Sequence, residues 1–191
     1  MILVQVLAHP GDDGEEANAM AERKYAFSWA LLGAVGLRRP TLGPTTRLET
    51  YRLMQFTFRD VIEQRHGAAE ADRIFQEAGV MAGKAFYANV LKGAADFPEF
   101  VAKAQKALAD LSIGILRIEK ADMDALSLVL TMAEDLDCSG LPDLGTEVCT
   151  YDEGFLAGML EAFTGKAFRV KEIDCWCTGG RTCRFTADVI A

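Results

Sequence analysis

The chain has 191 residues, of which half are hydrophobic and a quarter are charged, and its formal net charge is -8. This composition is typical of a globular domain that buries a core, so it excludes a disordered chain, and its scattered basic residues argue against nucleic acid as a partner. The longest apolar run, AFSWALLGAVGL, is too short to span a bilayer and ends before Arg38.

The first part of the chain is predicted to be an extension. The acidic patch GDDGEEAN separates residues 1–20 from the rest, and we place an N-terminal extension at residues 1–36 and a folded domain at 37–191. The N-terminus has no basic region before its short apolar run, so no secretory signal is predicted. We therefore expect a cytoplasmic protein whose five cysteines are reduced.

The first long helix follows the turn-rich loop RRPTLGPTT. The spacing of Thr46 and Glu49 matches a capping box, in which each side chain bonds a main-chain amide of the first turn. Apolar residues then recur with a helical period, which predicts a helix over 47–65.

Two more helices are predicted before any strand. The second covers residues 68–91, and its Gly79 and Gly83 indicate a close contact with another helix rather than a ligand motif. The third begins at Asp96, with Pro98 in its first turn.

The remainder of the chain alternates between extended and helical patterns. ILRIEK and ALSLVL form a predicted hairpin around a turn at 121–124, and a fourth helix opens with Thr150 and Glu153 and ends at Gly165. FRVKEIDCWC and TCRFTADVI form a second hairpin. The order ααα-ββ-α-ββ predicts an α+β fold with helices packed on one antiparallel sheet of about four strands.

Three cysteines lie close together in the second hairpin. The apolar phase of its first strand slips after Val170, which predicts a β-bulge over 172–174. A loop over 179–181 would then pair Cys177 with Cys183 and bring Cys183 to the face that carries Cys175.

These cysteines, with Cys149 just before the fourth helix, allow three interpretations. Thiolates and a carboxylate converging from two strands and a helix start could bind Zn²⁺ in tetrahedral geometry. The pattern lacks the paired CxxC motifs that make a zinc site specific, so buried structural thiols and redox chemistry remain alternatives.

The same stretch resembles a known family. CTYDEGFLAGMLEAFTGK followed by EIDCW and GRTCRF is similar to the C-terminal signature of the 4-vinyl reductase (V4R) domain family, and the likeness covers residues 37–189. The family is named for a suggested part in reducing a vinyl group during bacteriochlorophyll synthesis, and many members are called hydrocarbon-binding proteins. It is related in fold to phenol-sensing domains of bacterial regulators, to TRAPP vesicle-tethering subunits and to haem-based NO-binding domains.

The resemblance implies a specific set of metal ligands. The structural zinc of the phenol sensors is held by a Cys, a Glu and two further Cys, whose intervals match Cys149, Glu172, Cys175 and Cys183. Cys177 has no counterpart in that pattern and becomes an alternate ligand or a bystander.

The resemblance also implies an apolar pocket between the helices and the sheet. Candidates for its lining are Phe58, Phe75, Met81, Phe86 and Tyr87. The alternative is that these residues are ordinary core, since aromatic residues and Met at helical spacing occur in any packed helix.

Enzymatic chemistry has little support. No Gly-rich strand-to-helix turn provides a dinucleotide site, and a thiolate at Cys138 would be disfavoured by Asp135 and Asp137. His9 and His66 are more simply solvated or capping residues than haem ligands.

We therefore expect a domain that binds or senses a small hydrophobic, aromatic or tetrapyrrole molecule, with a structural zinc ion, and that forms a homodimer without catalysis of its own. One alternative is an accessory protein in tetrapyrrole vinyl reduction. The other is a TRAPP-like protein interaction scaffold.

Overall fold

The computed structural model describes residues 24–190. The predictions for residues 1–20 and for His9 lie outside this range. A 3-10 turn at Trp29–Leu32 and a single turn α1 at Val35–Arg38 precede the long helices. Among the described residues, no helix combines the length and the apolar composition that crossing a membrane requires.

Four longer helices and four strands follow, in the predicted order. The helices are α2 (Leu48–His66), α3 (Ala68–Phe86), α4 (Phe97–Asp110) and α5 (Thr150–Thr164), and a π turn at Tyr87–Leu91 extends α3. The strands are β1 (Ile115–Asp122), β2 (Ser127–Ala133), β3 (Phe168–Asp174) and β4 (Cys183–Val189). They form one antiparallel sheet in the order β1-β2-β4-β3, which confirms the predicted α+β fold.

The starts of α4 and α2 test the helix caps that were predicted from the local sequence. At α4, Asp96 accepts a hydrogen bond from the Glu99 amide and Pro98 lies in the first turn, as predicted. At α2 the predicted capping box is wrong, because Arg47 is the N-cap residue and its guanidinium binds the Glu49 carboxylate.

The contact between α3 and α5 is so close that it requires glycine. A Cβ atom at Gly79 would lie 2.1 Å from the Tyr151 carbonyl oxygen, and one at Gly83 would lie 2.1 Å from the Phe155 carbonyl oxygen. Gly154 faces α3 in the same way, since its Cβ would lie 2.0 Å from the Gln76 carbonyl oxygen. The predicted helix contact at Gly79 and Gly83 is therefore confirmed, and the two main chains approach within van der Waals distance.

The second hairpin differs in part from its prediction. The register of β3 and β4 shifts between Glu172 and Asp174, which confirms the bulge. The predicted Cys177–Cys183 pair is wrong: the last pair is Asp174 with Arg184, and a 3-10 turn at Trp176–Thr178 occupies the connection. The loop is thus longer than strand alternation suggested, and Cys175 and Cys177 lie in it rather than in the strand.

Candidate metal centre

Four buried cysteines meet at one end of the sheet. Cys138 lies in the loop after β2, Cys149 is the N-cap residue of α5, Cys175 follows β3 and Cys183 begins β4. Their sulfur atoms all lie within 4.8 Å of one another. None of the four residues is more than 1% exposed, so four separate segments of chain converge on one dry site.

Two of the three shortest sulfur–sulfur distances match those of a tetrahedral metal site, and the third, between Cys138 and Cys183, is shorter. The Cys149 sulfur lies 3.8 Å from that of Cys183 and 4.0 Å from that of Cys175, and the Cys138 and Cys183 sulfurs are 3.0 Å apart. Sulfur ligands bound at about 2.3 Å in a tetrahedron lie about 3.8 Å from one another. All five cysteines of the chain are free thiols, so no disulfide competes for these atoms.

The loop that carries Cys175 is held by local hydrogen bonds. The Cys175 amide donates to the Thr178 hydroxyl, and the Cys175 carbonyl accepts from the Gly180 amide. Gly179 adopts a positive φ of 89°, a conformation that glycine tolerates, and a Cβ at Gly180 would lie 2.7 Å from the Cys175 carbonyl oxygen. The two glycines therefore allow the tight turn that directs Cys175 toward Cys183.

The four thiols affect one another's pKa. Hydrogen bonding with its neighbours, Cys138 first, lowers the pKa of Cys175, whereas the same contacts raise the pKa of Cys149 and of Cys183. The cluster thus stabilises the thiolate form of Cys175 and the protonated form of Cys149 and Cys183. Such a set of thiols binds a cation with release of protons.

Glu172 lies next to this cluster but outside the group of four. Its Oε2 atom accepts a hydrogen bond of 3.1 Å from the Cys149 amide, and its Oε1 atom is buried without a hydrogen-bond partner. Burial raises the pKa of Glu172 to about 8. The structure therefore places the carboxylate beside a candidate ligand, where it supports the start of α5.

Cys177 is also buried but takes another position. Its carbonyl oxygen accepts hydrogen bonds from the Leu144 and Gly145 amides, and its thiol is not part of the group of four. Burial raises the pKa of Cys177 to about 12, as expected for an inert thiol.

Cys138 is the residue that the sequence pattern did not assign to the centre. Its loop leaves β2 beside β4, where Met132 pairs with Cys183, so the chain emerges next to the centre. The Asp135 carboxylate then accepts hydrogen bonds from the amides of Asp137 and Cys138 and closes a turn. Only the pairing of β2 with β4 reveals this proximity, and the sequence alone does not contain that information.

The apolar cavities are placed differently from the expected pocket. Between α4, α5 and the sheet the core is filled, with only about 10 Å³ of free space beside Phe100 and Leu130. A cavity of about 430 Å³ lies instead on the outer side of α3, against the segment before α1. Its lining is almost entirely apolar and consists of Phe27, Trp29, Leu32, Ala78, Met81, Ala82, Phe86, Tyr151 and Phe155.

Two of the five residues predicted for a pocket line this cavity. Met81 and Phe86 do, whereas Tyr87 packs against Phe100 and Phe163. Phe75 lies beneath the guanidinium of Arg59. Phe58 is 62% exposed on α2.

The α+β fold of this domain has counterparts among known proteins. Residues 128–189 match the model of the V4R domain, which confirms the resemblance for this part of the chain. The match includes α5, the hairpin strands β3 and β4, and all four clustered cysteines.

Two relatives come from Methanocaldococcus jannaschii, and both are uncharacterized proteins. One is 38% identical over 55 residues, which are 29% of this chain and 34% of that protein. The other is 25% identical over 107 residues, which are 56% of this chain and 61% of that protein. The chain thus spans a third to three fifths of the length of these relatives.

Solved structures share the fold at low identity. A vinyl-4-reductase family protein from M. jannaschii has a TM-score of 0.56 at 15% identity, covering 84% of this chain and 93% of that one. The phenol-responsive sensory domain of the transcription activator PoxR has a TM-score of 0.57 at 14% identity, covering 75% of each chain. A trafficking protein particle complex subunit 3 from Naegleria fowleri, covalently bound to palmitic acid, has a TM-score of 0.54 at 13% identity, covering 76% and 98%.

Proposed function

We propose that the cysteine cluster binds a structural zinc ion, with Cys138, Cys149, Cys175 and Cys183 as ligands. The observation that carries this proposal is the convergence of four buried, free sulfur atoms within 4.8 Å of one another. Four thiolates without an open position form a structural rather than a catalytic zinc site. Such an ion would join the loop after β2, the start of α5 and the β3–β4 connection, and thereby hold the last hairpin in place.

The identity of the fourth ligand distinguishes this arrangement from the one that the V4R resemblance implies. With Cys138 as ligand, Cys138→Ser weakens zinc binding strongly and Glu172→Gln weakens it little. With Glu172 as ligand, Glu172→Gln weakens zinc binding strongly and Cys138→Ser weakens it little. Zinc content after dialysis against a chelator of moderate affinity, measured by elemental analysis, separates the two arrangements.

A matched control comes from the cysteine outside the group. Cys177→Ser removes a buried thiol of the same loop, so it should retain a full zinc ion while Cys183→Ser does not. Equal zinc content in wild type, Cys177→Ser and Cys183→Ser would contradict the proposed centre.

We propose further that the domain binds a small aromatic or other hydrophobic molecule in the cavity beside Trp29. Its volume of about 430 Å³ lies in the range of small-molecule sites, and its lining is aromatic and aliphatic with Tyr151 as the main polar group. The neighbours with phenol or palmitic acid in related folds support this class of ligand. Because a ligand that binds only the folded state raises its stability, binding is measurable as a shift in melting temperature.

The test uses indole as the probe and a variant that fills the cavity. Ala82 lines the cavity, whereas Ala69 is exposed near the start of the same helix. We expect indole to raise the melting temperature of the wild type and of Ala69→Phe, and to have no effect on Ala82→Phe. An equal shift in all three proteins, or none in the wild type, contradicts binding at this site.

The exposed face of α2 favours the additional proposal of a homodimer. Leu53, Met54, Phe58 and Val61 are 45–68% exposed and lie along one side of this helix. Contiguous apolar surface of this kind is typical of a protein interface, and a second copy of the chain would cover it. The mass of the protein in solution tests this proposal.

A further inference from the structure

Two buried carboxylates lie directly beside the cysteine centre. Asp135, in the loop that leads to Cys138, is 2% exposed, and Asp152, in the first turn of α5, is 7% exposed. One carboxylate oxygen of each residue and the Cys149 sulfur all lie within 4.8 Å of one another. Cys149 therefore belongs to two groups of potential ligands, one made of sulfur atoms and one that includes oxygen.

The Asp152 carboxylate is incompletely satisfied. Its Oδ2 atom is buried and has no hydrogen-bond partner. Asp135 uses one oxygen to accept from the amides of Asp137 and Cys138, so the pair of carboxylates has few donors for its remaining oxygen atoms. A buried ionised carboxylate requires a compensating charge or a proton, because removal from water strongly disfavours the anion.

The basic side chains around this site are engaged elsewhere. Arg52 donates to the main-chain carbonyls of Leu136 and Ser139 at 2.9 Å, and more weakly to that of Asp135. Lys171 pairs with Glu153. Among the described residues, neither Asp135 nor Asp152 forms a salt bridge with a basic side chain.

We propose that Asp135 and Asp152 bind a second divalent cation beside the tetrathiolate centre, with the Cys149 sulfur as a bridging ligand. Two carboxylate oxygens and one thiolate form a donor set for a borderline ion such as Zn²⁺, Fe²⁺ or Co²⁺. The cation supplies the positive charge that the buried carboxylates lack. It also explains why two acids lie next to four thiols, where they would otherwise repel one another.

The second site differs from the first in having an open position. Three protein ligands leave at least one coordination position for water or for an oxygen atom of a ligand. Asp135 also lines a groove of about 990 Å³ together with Tyr51, Ser139 and Trp176. This groove is a route by which a polar ligand could reach the ion, whereas the tetrathiolate ion would be fully enclosed.

The test counts ions in the full chain. The reduced, metal-stripped protein is titrated with Co²⁺ under anaerobic conditions, desalted, and analysed by native mass spectrometry. We expect the wild type to retain two ions and Asp152→Asn to retain one. Because a shared thiolate couples the two ions magnetically, the electron paramagnetic resonance signal per ion should decrease when the second ion binds to the wild type.

Asp137→Asn is the matched control. Asp137 is buried in the same loop but accepts a hydrogen bond from the Tyr51 hydroxyl and belongs to neither group of ligands. It should retain two ions. A wild type that retains a single ion, lost in Cys183→Ser and kept in Asp152→Asn, overturns the second site and leaves the structural zinc in place; the two aspartates then share a proton. A wild type that retains no ion overturns both proposals, and the wild-type count stands even if Asp152→Asn does not fold.

Discussion

The helices α2 and α5 are attached to the rest of the protein in opposite ways. Nine of the 15 residues of α5 are buried, from Asp152 to Leu160, whereas none of the 19 residues of α2 is buried. α5 is packed on one side by α3 and on the other by the sheet, so its position depends on apolar burial and close main-chain contact. The difference indicates that α5 completes a core within the chain and that α2 does not.

Polar contacts hold α2 instead. The Tyr51 hydroxyl donates to Asp137, Arg52 donates to three main-chain carbonyls of the loop after β2, and Arg59 pairs with Asp72 of α3. These bonds orient one face of the helix, while the apolar face with Met54 and Phe58 remains exposed. The polar face of α2 thus contacts the loop after β2 that carries Cys138, and the apolar face is exposed.

The largest expected effect comes from the contact between α3 and α5. Gly83→Ala places a methyl group where the Phe155 carbonyl oxygen lies, so the two helices must separate. We expect a loss of about 3 kcal/mol or more in the free energy of unfolding, measured by chemical denaturation. Gly36→Ala is the control, because a Cβ there meets no atom within 4 Å and the change should be nearly neutral. Equal effects at both positions would mean that α3 and α5 are less closely packed than the structure shows.

A difference between the two helices is also expected when a leucine on each is truncated. Leu156 is 2% exposed on α5 and Leu53 is 68% exposed on α2. Leu156→Ala leaves a cavity and should lower the free energy of unfolding by ~2–5 kcal/mol, whereas Leu53→Ala should change it by less than about 0.5 kcal/mol in the monomer. If Leu53→Ala lowers stability as much, then α2 contributes to a core that the monomer alone does not show.

The third prediction concerns association rather than folding. Phe58→Glu introduces a charge into the exposed apolar face of α2, so it should disrupt the proposed dimer and leave the melting behaviour of the monomer unchanged. Sedimentation velocity measures the mass, and far-UV circular dichroism measures the fold. Glu63→Gln, also on α2 but outside the apolar stripe, should leave the mass of the wild type unchanged. A wild type that is monomeric at high concentration contradicts the dimer.

Much of the fold was accessible from periodicity and local signals. The order of elements, the Asp96 cap, the Gly79–Gly83 contact and the bulge after Glu172 were all predicted, because each depends on residues near one another in the chain. The capping box at Thr46 failed since a neighbouring ion pair between Arg47 and Glu49 competed for the carboxylate. Turn lengths were also less predictable, since the 3-10 turn after Cys175 interrupts strand alternation.

The candidate site also contains some residues that the sequence predicted and others that it did not. Spacing and family resemblance selected Cys149, Cys175 and Cys183 as possible ligands, and the structure brings these three together. It joins Cys138 to them, and sets Asp135 beside them, only because β2 pairs with β4 and the loop after β2 returns to the start of α5. Asp152 is near Cys149 because both lie at the start of α5. The sequence by itself determined the type of donor atoms and the local turns, because these depend on residue chemistry and on neighbours along the chain. Tertiary structure alone decided which donors share one site, because long-range strand pairing controls which distant segments meet.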